Sequence, residues 1–154
     1  MHRLPPRCSL ALLEFQSESV PAIDAEVAAL ALARRRLHWL PMRPREEHLR
    51  RAGTSALFSL DTPGYNQGTS GLDALWAGLP LVTLPLHQWC ERMGAGLVNY
   101  VGQVPTGVHS LRAMDDMIVA LAGGVTASTS ALEGRWRIKQ GRGRGRMAVG
   151  IEVT

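Results

Sequence analysis

Cysteine is scarce in this chain: Cys8 and Cys90 are the only two. Two thiols make neither a disulfide framework nor a metal-ligand set, and a reducing compartment is the expected setting. Long apolar runs are missing, so no segment approaches the ~18 residues that span a bilayer. Ser9 to Leu13, the longest candidate near the start, stops at Glu14 and is too short for the core of a secretion signal. Arg3 and Arg7 precede that first acid, a pattern compatible with an organelle transit peptide. Aromatics (5%) and charged residues (19%) are both few. Lysine is nearly absent: of the 17 basic residues only Lys139 is not arginine, a bias with no evident physical cause. No internal repeat is found beyond a short Gly-Arg alternation near the end.

What remains suits one domain. A chain of 154 residues with 45% apolar side chains can bury a sizeable core. Its 16 glycines and 9 prolines imply many turns without low complexity. The net charge of +4 invites a nucleic-acid reading until the charge is located. Residues 135–154 carry six basic groups against Glu152, a net +5, and residues 1–134 sum to −1. The basicity belongs to a tail.

Four short apolar runs read as strands buried on both faces: Leu10 to Phe15, Leu37 to Leu40, Ala56 to Leu60 and Leu81 to Leu84. Helical spacing runs from Pro21 to Arg36, with Asp24 and Glu26 in the expected first turn and Arg34, Arg35 and Arg36 in the last, as the helix dipole favours. Further helices are expected over Arg45 to Arg51, Thr69 to Trp76 (closed by Gly78), Gln88 to Tyr100 and Leu111 to Leu121. Strands alternating with helices predict an α/β fold, a Rossmann-like parallel sheet with flanking helices. Ligands in such sheets bind at the carboxyl ends of the strands, so the loops of interest are 16–19, 41–45, 61–70 and 85–88.

The most informative loop follows Leu60. A turn rich in Gly and Asn leads to a helix opening at Thr69, Ser70 and Gly71. Free backbone N–H groups and two hydroxyls at a helix N-terminus can hold an anion. Asp73 lies one turn further and can accept from ribose hydroxyls. A plainer reading has Thr69 or Ser70 capping the helix and Asp73 favouring its dipole. In the stretch 44–51, His48 and Arg51 are three apart and share a helix face. His48 can stack on a base and Arg45 can reach a sugar or a phosphate; a solvated charged helix is the alternative. His87 and Arg92 follow the fourth strand, where Arg92 can orient the loops. Ser70, His48 and Asp73 can be assembled into a triad, but no Gly-x-Ser-x-Gly elbow supports it. The tail from Arg135 to Arg146 is similar to Arg-Gly segments that bind nucleic acid, or is a solvated end.

Three segments, 43–51, 60–80 and 81–95, occur in an order and spacing that resembles the C-terminal catalytic lobe of the O-linked N-acetylglucosamine transferases, the family of the animal enzyme and of plant SPINDLY and SECRET AGENT proteins. The best match runs over 12–102. The resemblance implies the C-terminal lobe of a two-lobed GT-B glycosyltransferase over residues 1–124, in part, followed by a poorly ordered basic tail over 125–154. It implies UDP-N-acetylglucosamine as donor, no metal or other cofactor, and transfer to Ser or Thr hydroxyls of proteins. Some plant relatives use fucose instead. By motif, His48 would meet the uracil, with Arg51 on the same helix and Arg45, where the family has Lys, near the ribose. Thr69 and Ser70 would meet the diphosphate and Asp73 the ribose hydroxyls. Gly68 stands where the family has His, and Leu86 where it has Gly. The family's phosphate lysine and candidate base are expected outside this chain, in segments preceding it, so little activity is expected of the chain alone. The implied partners are a nucleotide sugar, a protein acceptor and the other lobe if it is encoded elsewhere, with neither nucleic acid nor membrane. The implied location is cytoplasmic or nuclear. The alternatives are a catalytically incomplete fragment serving as an interaction module, and nucleic-acid binding through the Arg-Gly tail.

Overall fold

The computed structural model describes residues 4–6, 8–14, 16–29, 34–102, 106–123 and 148–149. Its strands all pair in parallel. β1 (Leu10–Glu14) runs beside β2 (Leu37–Pro41), from Leu10 opposite Leu37 to Glu14 opposite Pro41. β3 (Ser59–Leu60) pairs with β4 (Leu81–Val82), and a bridge between Thr83 and Gly107 carries the pairing outward. β5 (Ala148–Val149) flanks β1 on the side away from β2. The expected α/β fold of a GT-B lobe therefore stands, but the strands form two sets, β2-β1-β5 and β3-β4, rather than one continuous ladder.

The second set is covered on both faces, as its unbroken apolar sequence predicts. Phe58, Val82 and Leu84 pack with Cys8, Val108 and Met114 beneath α5 (Leu111–Gly123). Leu81 points the other way, against Leu75 of α3 (Thr69–Trp76) and Val98 of α4 (Met93–Tyr100). Alternation along β4 thus feeds two cores from adjacent residues. Among the described residues no helix is long and apolar enough to cross a membrane.

Element boundaries depart from the sequence reading in several places, β4 among them, which keeps Leu81–Val82 of the expected Leu81 to Leu84. α1 spans Ser19–Ala29, starting two residues early where the Ser19 hydroxyl donates to the Gln16 carbonyl at 2.7 Å. Asp24 and Glu26 consequently miss the first turn. Asp24 instead accepts from the Trp39 indole at 3.2 Å, tying α1 to β2. Arg34–Arg36 form a separate 3-10 turn, and Arg36 donates to the carbonyls of Pro5 and Cys8, both at 2.8 Å. That arginine serves the chain's start rather than a helix end.

α2 covers Arg45–Ser55, one turn longer than expected. The Thr54 hydroxyl donates back to the Arg50 carbonyl at 2.8 Å, and the Ala56 N–H closes the helix on Ala52. Of the third strand expected from Ala56, Ala56 caps the helix, Leu57 and Phe58 lie between, and β3 keeps only two residues. α3 has the predicted bounds, and Gly78, at φ 81°, supplies the left-handed residue that ends it. The helix expected over 88–100 is broken at Arg92 into a 3-10 turn (Trp89–Glu91) and α4. Asn66 causes the break. Its N–H donates to the Cys90 carbonyl at 2.8 Å, the acceptor a continuous helix would offer to Gly94. The Gly94 N–H turns to the Asn66 side-chain oxygen at 3.3 Å instead. Apart from Ala148–Val149, the expected tail lies outside the described residues.

Candidate functional site

The starts of α2 and α3 and the strands β1, β2 and β3 meet around one open cleft. Its apolar floor includes Ala11 and Leu13 of β1, Leu40 of β2 and Leu79. His48 of α2 and Ser70 and Asp73 of α3 stand on the polar side, with Gln67. Three of the six residues singled out in the sequence, separated by up to 25 positions, therefore line the same cavity.

The others take supporting places. The Arg45 guanidinium donates to Asp73 Oδ1 at 2.5 Å. Asp73 is mostly covered and Arg45 mostly exposed, so the arginine closes over the carboxylate from the solvent side. Arg51 sits behind His48, one N–H on the Pro41 carbonyl at 3.1 Å and another 3.4 Å from His48 Nδ1. A guanidinium only donates, so Nδ1 of His48 is the acceptor in this pair. Thr69 is exposed and does not line the cleft. His87 and Arg92 are also exposed, on the turn before α4.

The start of α3 departs from the capping expected of Thr69 or Ser70. Its N-cap is Gly68, at φ −91° and ψ −92°, and no side chain caps the helix. Thr69 and Ser70 lie inside the helix and do not act as caps, and Asp73 is engaged by Arg45 beyond the first turn. Gly68 stands where the resembling family has His; a Cβ there would lie 2.6 Å from the methyl at the end of the Met93 side chain, which would have to shift to admit it.

Beneath the cleft lies a polar cluster that the sequence reading passed over. Asp61 is 1% exposed and Asn66 is fully buried. Asp61 Oδ1 accepts the Thr62 N–H at 2.9 Å and the Gln67 N–H at 2.5 Å, and Oδ2 accepts the Thr83 hydroxyl at 2.5 Å. Burial pushes the Asp61 carboxyl above its ordinary range, opposed by these three donors. Gln67 donates to the Leu60 carbonyl at 2.7 Å and accepts from Ser59 at 3.4 Å. The available signal was an Asp closing a strand and an Asn-Gln pair inside a glycine turn. The partners that give those residues meaning lie on other elements. Among the described residues no three His, Cys, Asp or Glu side chains gather as a metal site requires.

Comparison with known proteins resolves the family. A model described as glycosyl transferase family 41 matches residues 1–140. The chain belongs to that family. Among family 41 relatives, it is 32% identical over 119 residues to the probable UDP-N-acetylglucosamine–peptide N-acetylglucosaminyltransferase SEC of Arabidopsis thaliana, covering 76% of this chain and 12% of that protein. It is 35% identical over 107 residues to the UDP-N-acetylglucosamine–peptide N-acetylglucosaminyltransferase of Caenorhabditis elegans, covering 70% of this chain and 9% of that protein. A mutant O-GlcNAc transferase of Thermobaculum terrenum superposes with a TM-score of 0.70 at 25% identity, over 76% of this chain and 23% of that structure. This family 41 chain thus spans only a small part of the length of the relatives it matches.

Proposed function

We propose that this chain is the donor-binding portion of a protein O-glycosyltransferase that uses UDP-N-acetylglucosamine and serves Ser or Thr hydroxyls as acceptors. One observation carries the reading: His48, Ser70 and Asp73 line a single cleft beside a helix start that no side chain caps. His48 meets the uracil through its Nε2 edge or ring face, oriented from behind by Arg51. Asp73, steadied by Arg45, accepts from the ribose hydroxyls. The Ser70 hydroxyl and the first N–H groups of α3 take the diphosphate, where partial positive charge is concentrated. The reaction this serves is displacement at the anomeric carbon with UDP leaving. The work of this chain within it is to bind and orient the donor and to stabilise charge on the departing diphosphate.

The assignment makes backbone N–H groups and the Ser70 hydroxyl, rather than a metal, the partners of the phosphates. Cytoplasmic or nuclear protein acceptors go with this reading, as does a division into a donor lobe over 1–124 and a separate tail. Titration with UDP followed by amide NMR tests it. Shifts should concentrate on 43–51 and 66–74. A folded chain whose amides in those segments ignore UDP at millimolar concentration would overturn it.

A further inference from the structure

We propose that Asp61 is the positioning residue of this site: from beneath the 61–68 loop it sets where the first turn of α3 lies. The inference rests on the donor-site reading above and names the group that holds the diphosphate subsite in place. The N-terminus of α3 has no side-chain cap to hold it. The residue before its N-cap is Gln67, and the Gln67 N–H is held by Asp61 Oδ1 at 2.5 Å. The same oxygen takes the Thr62 N–H, so one atom pinches the two ends of the loop together. Oδ2 is held by the Thr83 hydroxyl on the neighbouring strand, which gives the carboxylate a fixed orientation relative to the sheet.

The remaining face of the cluster is shaped to admit it. A Cβ at Gly94 would overlap Asp61 Oδ2 and come within 2.5 Å of the Thr83 hydroxyl. The first turn of α4 therefore approaches the carboxylate as bare backbone. Asn66 locks that approach through Cys90 and Gly94, as described for the helix break. Burying a carboxyl costs free energy that a surface loop would not require. Here two amides of the 61–68 loop and the Thr83 hydroxyl offset it in part, and together they tie that loop to the neighbouring strand.

The test separates the two halves of the donor. The wild-type chain, Asp61→Ala and Asp61→Asn are titrated with UDP and with uridine by amide NMR. Asp61→Ala is expected to weaken UDP about tenfold, the scale of one hydrogen bond to a charged group, and to leave uridine within about twofold. Asp61→Asn should recover most of the UDP affinity, since its oxygen can accept both amides and its Nδ2 can donate to Thr83 Oγ1. If Asp61→Ala does not fold, Thr83→Val carries the same comparison with a smaller UDP loss. Equal losses for both ligands, or an Asp61→Ala chain with wild-type UDP affinity, overturn the inference while leaving the donor site intact. A wild-type chain that ignores UDP overturns the donor reading and the inference with it.

Discussion

Asp73 and Arg45 are 28 residues apart and meet at 2.5 Å, yet the pair is a poor candidate for holding the fold together. Arg45 is two-thirds exposed, and exposed ion pairs contribute only ~0–1 kcal/mol. Their value lies in presenting a carboxylate to the cleft. Asp73→Asn should therefore weaken UDP about tenfold with little change in melting temperature. Calorimetric titration beside a thermal melt checks this, and a large loss of stability would contradict it. His48 and Arg51 illustrate how far spacing carries: three apart on one helix, they do share a face and touch. Thr69 shows the limit, because its place beside Ser70 in sequence says nothing about which hydroxyl faces the cavity.

Among the elements, the start of α4 carries the clearest consequence. Gly94 is wedged against Asp61 and Thr83, so Gly94→Ala must displace buried groups. Overpacking of this kind costs ~1–3 kcal/mol, which a urea melt will read as a lowered midpoint at unchanged slope. The same cluster sets a pH dependence. Asp61 has a folded-state pKa raised above 3.8 by burial. Between that raised value and 3.8 the folded chain holds a proton that the unfolded chain has lost, so this group's contribution to stability grows as pH falls through the window. Above it, the charged carboxylate weighs against folding. Asp61→Asn mimics the protonated acid. Its stability advantage over wild type should be greatest near pH 7 and shrink toward pH 4, read as paired urea midpoints. An advantage that grows on acidification would rule the account out. The break before α4 was not legible locally, since the two glycines of 88–100, Gly94 and Gly96, lie inside α4 and not at the break. Asn66, from a loop more than twenty residues earlier, takes the carbonyl on which continuity depends.

At the scale of the whole molecule, family membership is secure and the chain spans only a small part of its relatives. The proposed donor site accounts for binding but for no general base. The purified chain should accordingly show no turnover of UDP-N-acetylglucosamine onto an acceptor peptide, measured by label transfer. Turnover above a no-protein control would show that the chain carries more of the machinery than assigned to it. Because N–H groups and the Ser70 hydroxyl are assigned to the diphosphate, UDP affinity should be the same with and without EDTA, and a chelator-sensitive affinity would reject that assignment. Local information was enough to place α3 between a glycine-rich turn and Gly78, to predict parallel α/β architecture, and to single out His48 and Asp73. Those features depend on periodicity, end signals and motif spacing, all of which act over a few residues. Only the tertiary structure brought Asp61 to Thr83, Asn66 to Gly94 and Arg45 to Asp73. Each of those contacts joins residues 22 to 28 positions apart. Their energy comes from burial and from hydrogen-bond geometry that exists only once the strands and helices have packed.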